Sequence, residues 1–238
     1  MLSHITSRSA PQIFRVNSGA LRVTDPCYDL EVRCSGQIDN VANGQWLAHV
    51  GYYKDEIDMT SCQKWLGKLQ AQYDKSDVIT KAFMQRELDR LKNECEGYIG
   101  RVAYVHVCHE SVAAEADNPD LFSYEPSNDF EVGVDSGQAG IFDLAEYAKA
   151  LSDKEADSQN REERGSQFSQ FYQQVCYLTS KEASFGVLPF GAVSSSGYGD
   201  GGYRCYVLKD AAGTPEEKIV AALILFIGDQ TDEDDCDD

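Results

Sequence analysis

A nine-residue apolar run near the end of the chain, Ile219-Val220-Ala221-Ala222-Leu223-Ile224-Leu225-Phe226-Ile227, constrains the fold more than any other segment. It is far shorter than the about 20 residues that a membrane-crossing helix needs. It follows a turn at Ala211-Ala212-Gly213-Thr214-Pro215 and is apolar on both alternating faces. That pattern predicts a strand in the centre of a sheet or sandwich.

Strand signals recur upstream. Residues 13 to 53 alternate between turn formers: Ile13–Val16 before Asn17-Ser18-Gly19, Ala20–Thr24 before Asp25-Pro26, and Gln45–Tyr53 after a hairpin-type Asn43-Gly44. The period then changes. Met59, Cys62, Trp65, Leu66, Leu69 and Tyr73, then Ile79, Phe83, Leu88, Leu91 and Cys95, fall at three- and four-residue spacing, as amphipathic helices require. Ser76 or Asp77 would cap the second helix and Gly97 would end it. Strand-like residues 98–107 follow, so 55–97 is expected to be a helical hairpin inserted between two strands. Residues 111–129, with Pro119 and Pro126, predict a loop; Phe130–Val134 a short strand; Phe142–Leu151 and 169–179 helices, joined by a polar link over 152–166. Phe190–Val193 and Tyr203–Lys209 complete the strands. The expected fold class is α+β, a bent antiparallel sheet or β-sandwich core with the inserted hairpin and two further helices.

With 238 residues, the chain is expected to form a single β-rich domain over 1–228, the helical insertion included. Residues 229–238 contain seven acids and predict a disordered, solvating tail. The net charge is −19, and without the tail 33 acids still face 21 bases. Such a surface repels phosphate backbones and anionic membranes, so neither direct nucleic-acid binding nor a membrane partner is expected. It suits a protein partner with a basic surface, a small ligand or a cation. Eight cysteines without CxxC spacing, and no secretory leader in Met1–Arg8, predict reduced thiols and a cytoplasmic location.

Three turns carry an acid beside turn formers after a strand: Thr24-Asp25-Pro26-Cys27-Tyr28, Val134-Asp135-Ser136-Gly137-Gln138, and Ser196-Gly197-Tyr198-Gly199-Asp200-Gly201-Gly202-Tyr203. The glycines of the last let the backbone approach a ligand or another segment closely. If the three turns meet, Asp25, Tyr28, Asp135, Ser136, Gln138, Tyr198, Asp200 and Tyr203 line one ligand site. Asp25, Asp135 and Asp200 would then also be candidate ligands for Ca²⁺ or Mg²⁺, which favour oxygen donors. The competing expectation is that each aspartate accepts hydrogen bonds from its own turn.

The same segments resemble the domain of unknown function family 4241, found in bacteria and phages. The resemblance is clearest over 130–143 and 190–227, weaker over 14–28, and does not extend over the helical insertion. It implies a mostly β core with these three loops as characteristic features. It brings no reaction, cofactor or substrate.

Other chemistries fit less well. Ser136 and Ser196 lie outside a G-x-S-x-G elbow, and the candidate bases His49 and His106 sit in strand runs. In His106-Val107-Cys108-His109, strand alternation sets His109 on the opposite side from His106 and Cys108, which is awkward for zinc. The glycine loop lacks the lysine of a phosphate loop. The expected role is therefore a non-enzymatic acidic binding or interaction protein, with a metal-assisted hydrolase using the three aspartates as the alternative.

Overall fold

The computed structural model describes residues 5–54, 59–95, 100–116, 119, 123–127, 130–158, 170–181, 183–211 and 213–228. In chain order, β1 (Ile5–Arg8), β2 (Gln12–Val16), β3 (Leu21–Thr24), β4 (Gly36–Ile38) and β5 (Gly44–Lys54) precede α1 (Met59–Lys75) and α2 (Val78–Cys95). Then come β6 (Gly100–His109), a 3-10 segment over Glu110–Ala116, β7 (Glu125–Pro126), β8 (Val132–Val134) and β9 (Gln138–Asp143). The chain continues through α3 (Leu144–Ser158), α4 (Gln170–Thr179), β10 (Phe185–Leu188), β11 (Gly191–Ser195), β12 (Gly201–Asp210) and β13 (Lys218–Leu225). The fold class is α+β.

Two compact units divide the chain: Tyr53–Arg101, and Met1–Tyr52 together with Val102–Asp238. In the first, α1 and α2 form the helical hairpin. Asp77 caps α2, accepting from the Thr80 N–H at 3.0 Å and the Thr80 hydroxyl at 2.7 Å. Ser76 instead closes α1, donating to the Gln72 carbonyl at 2.8 Å. Gly97, expected to end α2, lies outside the described residues.

The second unit is built on two antiparallel sheets, ordered β1-β5-β6-β13-β12-β7 (with β2 also on β5 and β8 on β12) and β10-β11-β9-β3-β4. The apolar β13 lies between β6 and β12, with Val220 to Ile224 buried, so the central position expected from its composition is observed. Strands β2 and β8 run against the second sheet, and the Arg15 N–H donates to the Pro189 carbonyl at 3.1 Å. On the helix-covered face of the second sheet, Phe142 and Val193 pack with Tyr147, Phe171, Val175 and Leu188. Phe142 stacks on Tyr147 at 5.0 Å, and Phe171 meets both rings edge-on. Each buried large side chain contributes about 1.5–3 kcal/mol here.

Two expectations need correction. Phe142 and Asp143 end strand β9 rather than open the helix, because Phe142 pairs with Arg22 and Gly191 across the sheet. Asp143 is the extended cap residue before α3, accepting the Glu146 N–H at 3.1 Å and the Asn17 and Ser18 N–H groups at 2.7 and 2.8 Å. Burial pushes its carboxyl up, and these three backbone donors outweigh that, holding it below the usual aspartate value. Second, α3 continues to Ser158 into the segment expected to be a polar link. Residues 159–166 of that link and the 229–238 tail lie outside the described residues.

Candidate functional site

Asp25 follows the last residue of β3 and is 0% exposed. Its Oδ1 accepts the Cys27 N–H at 2.8 Å and the Ser136 hydroxyl at 2.7 Å. Its Oδ2 accepts the Asp135 and Ser136 N–H groups at 2.9 and 2.8 Å. One bond stabilises Asp25's own turn; the other three seize the turn between β8 and β9, some 110 residues away. That turn needs Gly137, whose φ is +68°.

The third loop is fastened to the same turn. The Ser196 N–H donates to the Gly137 carbonyl at 3.0 Å, and Gly201 pairs with Val134 at the end of the β12–β8 ladder. Asp135 and Asp200 therefore each flank that terminal pair, from the two strands. Within the loop, Tyr203 acts as a buttress: its hydroxyl reaches the Ser196 carbonyl at 2.9 Å and the Gly199 carbonyl at 2.7 Å, sharing one proton, while its ring meets Phe226 edge-on. The Ser196 hydroxyl donates to the Gly199 carbonyl at 2.8 Å. Tyr198, 58% exposed, and the exposed Asp200 stand at the outer edge.

Thus the three turns do gather, but their aspartates differ. Asp25 is internal and saturated with donors. Asp135 is exposed, and the Tyr28 hydroxyl donates to its Oδ2 at 2.6 Å. Tyr28 is held in turn through its carbonyl, which accepts the Tyr147 hydroxyl at 2.8 Å. Burial, and then the bond to the Asp135 carboxylate, push the Tyr28 phenol well above its ordinary value. Gln138 is half-buried; its amide N–H contacts the Cys176 sulfur at 3.8 Å, while its buried Oε1 has no hydrogen-bond partner. Among the described residues, no group of three or more His, Cys, Asp and Glu side chains is arranged to hold a metal ion.

Sequence reasoning missed three neighbours. The Cys27 thiol is pushed up to about 12 by burial and then by the Asp25 carboxylate. Tyr172, pushed up to about 12 by burial, has Ser136 and Cys176 as side-chain partners. Tyr172 and Cys176 are four apart on α4 and border its buried stripe of Phe171 and Val175, so helical spacing could have picked them out as a pair.

The histidines lie elsewhere in the hydrogen-bond network. His106 Nε2 is 2.7 Å from the Tyr124 hydroxyl, and its Nδ1 is 3.5 Å from His49 Nδ1. The Tyr104 hydroxyl lies 3.5 Å from His49 Nε2 and accepts from Arg8 Nε at 3.0 Å. Burial keeps both imidazoles neutral, holding His49 down to about 4 and His106 well below its ordinary value. His109 turns the other way, its ring edge-on to Trp46.

The sequence pattern of a family described as a protein of unknown function, DUF4241, matches residues 14–220, which include all three turns. The chain belongs to that family. That span takes in the helical hairpin, over which the resemblance read from the sequence did not extend. No curated protein and no solved structure matches the chain. No helix of the described residues is long and apolar enough to cross a membrane.

Proposed function

We propose that this DUF4241 member is a non-enzymatic cytoplasmic binding protein, taking a cationic group, from a basic protein surface or a small ligand, at the rim formed by the Asp25, Asp135 and Asp200 loops. One observation carries the reading: the buried Asp25 carboxylate fixes the Asp135 backbone through its N–H while the Tyr28 hydroxyl holds the exposed Asp135 carboxylate, so its geometry is set before anything binds. Tyr198 adds an exposed aromatic at the same rim, suited to an interface. The net charge of −19 steers cationic partners toward the molecule.

The alternative, a metal-assisted hydrolase with Asp25, Asp135 and Asp200 as ligands, requires Asp25 to exchange protein donors for a cation. An oligo-arginine peptide serves as the cationic probe, titrated calorimetrically at low and physiological salt. Asp135→Asn should weaken its binding about two- to fivefold, the range of a partly screened ion pair. Unchanged binding in both Asp135→Asn and Asp200→Asn would refute the rim. A Ca²⁺- or Mg²⁺-dependent rise in melting temperature, lost in Asp135→Asn, would favour the hydrolase instead.

A further inference from the structure

Arg22, in the middle of β3, is only 7% exposed. Its neighbours across the sheet are Phe142 and Gln37, which sets it on the helix-covered face beside Phe142 and Tyr147. Residues 25–35 run over it between β3 and β4. Among the described residues the guanidinium has two partners, both neutral and both on Nη2: the Leu30 carbonyl at 2.6 Å and the Ser35 hydroxyl. Its Nε is buried without any partner. Among the described residues no carboxylate pairs with it, although the covering loop itself includes the exposed Asp29 and Glu31.

A buried cation without a counter-charge costs several kcal/mol, and side chains of this kind normally acquire a carboxylate partner. Here the side-on fork of Nε and Nη2, the edge that matches a carboxylate's two oxygens, faces only neutral groups. The covering loop is pinned at its ends, by the Asp25 and Tyr28 contacts and by the Gly133 N–H to the Cys34 carbonyl at 2.8 Å, and its middle is the part able to yield. It contributes no ladder, and its internal backbone bonds are the single turns Tyr28 N–H to the Asp25 carbonyl and Val32 N–H to the Asp29 carbonyl. The Ser35 hydroxyl already donates to the Val32 carbonyl at 2.6 Å, so it can release Arg22 and keep a partner of its own.

We propose that Arg22 is the anchor of an anion site beneath the 25–35 loop, receiving the carboxylate of a small ligand on Nε and Nη2 in place of the Ser35 hydroxyl. The site shares the 25–35 loop with the rim's Asp25 and Tyr28, but it takes a ligand group of opposite charge and does not depend on the rim's role.

The test uses the full chain with succinate as the probe, against chloride at matched ionic strength and against inorganic phosphate. Two readouts are followed: the melting temperature, and the Arg22 Nε–H signal in nitrogen-15 NMR spectra. Succinate should raise the first and displace the second in a saturable way. Arg22→Lys keeps the charge but loses the fork and should bind about tenfold more weakly, as loss of a charge-assisted hydrogen bond implies. Arg22→Met should not respond. Because Arg22→Met also unpins the Leu30 carbonyl, Ser35→Ala provides a second check: it retains the guanidinium, removes its competitor, and should bind succinate at least as tightly as the unmodified chain. The proposal is overturned if chloride reproduces the effect, if Arg22→Met responds equally, or if Ser35→Ala loses the response. Tighter binding of phosphate than succinate would overturn the carboxylate assignment.

Discussion

Replacing Asp25 with asparagine tests the architecture of the site most directly. The carboxylate is fully buried and receives four donors, two on each oxygen. Asparagine has nearly the same shape but only one acceptor oxygen, so its NH₂ must face one pair of donors. Either orientation removes two hydrogen bonds to a charged acceptor, each worth about 1.5–3 kcal/mol, and leaves buried donors opposed to donors. The expected loss is about 3–6 kcal/mol, a large share of the about 5–15 kcal/mol typical of a folded protein. For a chain of this size that corresponds to a fall of roughly 6–24 °C in melting temperature. Urea unfolding should show a lower midpoint at an unchanged slope. Asp135→Asn is the control: that residue is exposed and its remaining oxygen can still accept from Tyr28, so its effect should stay within about 1 kcal/mol. A fall below about 2 °C for Asp25→Asn, or an equal fall for both variants, would refute the clamp.

The buried imidazole pair makes a pH prediction. His49, facing His106, Tyr104 and, through Tyr104, Arg8, is held down to about 4 by burial against an ordinary 6.5. A lowered folded value means full stability above pH 6.5 and progressive loss as pH falls toward 4, amounting to about 3 kcal/mol. His49→Phe should flatten that slope in urea unfolding between pH 7 and 4, and an identical slope would contradict it. The Cys27 thiol, pushed up to about 12, should react with iodoacetamide at pH 8 roughly a thousandfold more slowly than a free cysteine, and faster in Asp25→Asn; peptide mapping by mass spectrometry that finds rapid labelling would count against its burial beside Asp25. Gly197, at φ +63° with an added Cβ only 3.0 Å from Phe226 Cβ and 3.2 Å from the Val102 carbonyl, should lose about 1–3 kcal/mol on Gly197→Ala. Gly67, inside α1 with open space around it, should instead gain about 0.5–1 kcal/mol on Gly67→Ala, both being read by thermal melting.

Much of the fold was legible because long elements repeat their period often enough to be read. β13, β5, β6 and the α1–α2 hairpin lie where alternation and three-to-four spacing set them. Short elements escaped. β4 is three residues, Gly36-Gln37-Ile38, and β10 is Phe185-Gly186-Val187-Leu188, each too brief to display a period and each containing glycine. β9 was missed over its first residues, where Gly137 and Gly140 read as a turn, and misread at its end because Phe142 also fits the apolar stripe of the helix that follows it, and a cap residue such as Asp143 belongs by its side chain to the helix and by its backbone to the strand.

Residue chemistry and spacing were enough to show an acidic chain with a β core, an inserted helical hairpin and three aspartate-bearing turns. They were silent on how alike those aspartates are, because each has the same local company of turn formers. Their roles diverge through backbone N–H groups arriving from distant segments: Asp25 meets the donors of Asp135 and Ser136 and becomes an internal clamp, while Asp135 keeps its carboxylate in solvent. Arg22 follows the same logic in reverse. As one letter of an alternating strand it resembles any surface arginine, and its burial, with no carboxylate partner among the described residues, arises from the path of the 25–35 loop above it. Periodicity is a local property written in consecutive residues, whereas the solvation and pairing of a charge depend on everything the fold brings within hydrogen-bond reach.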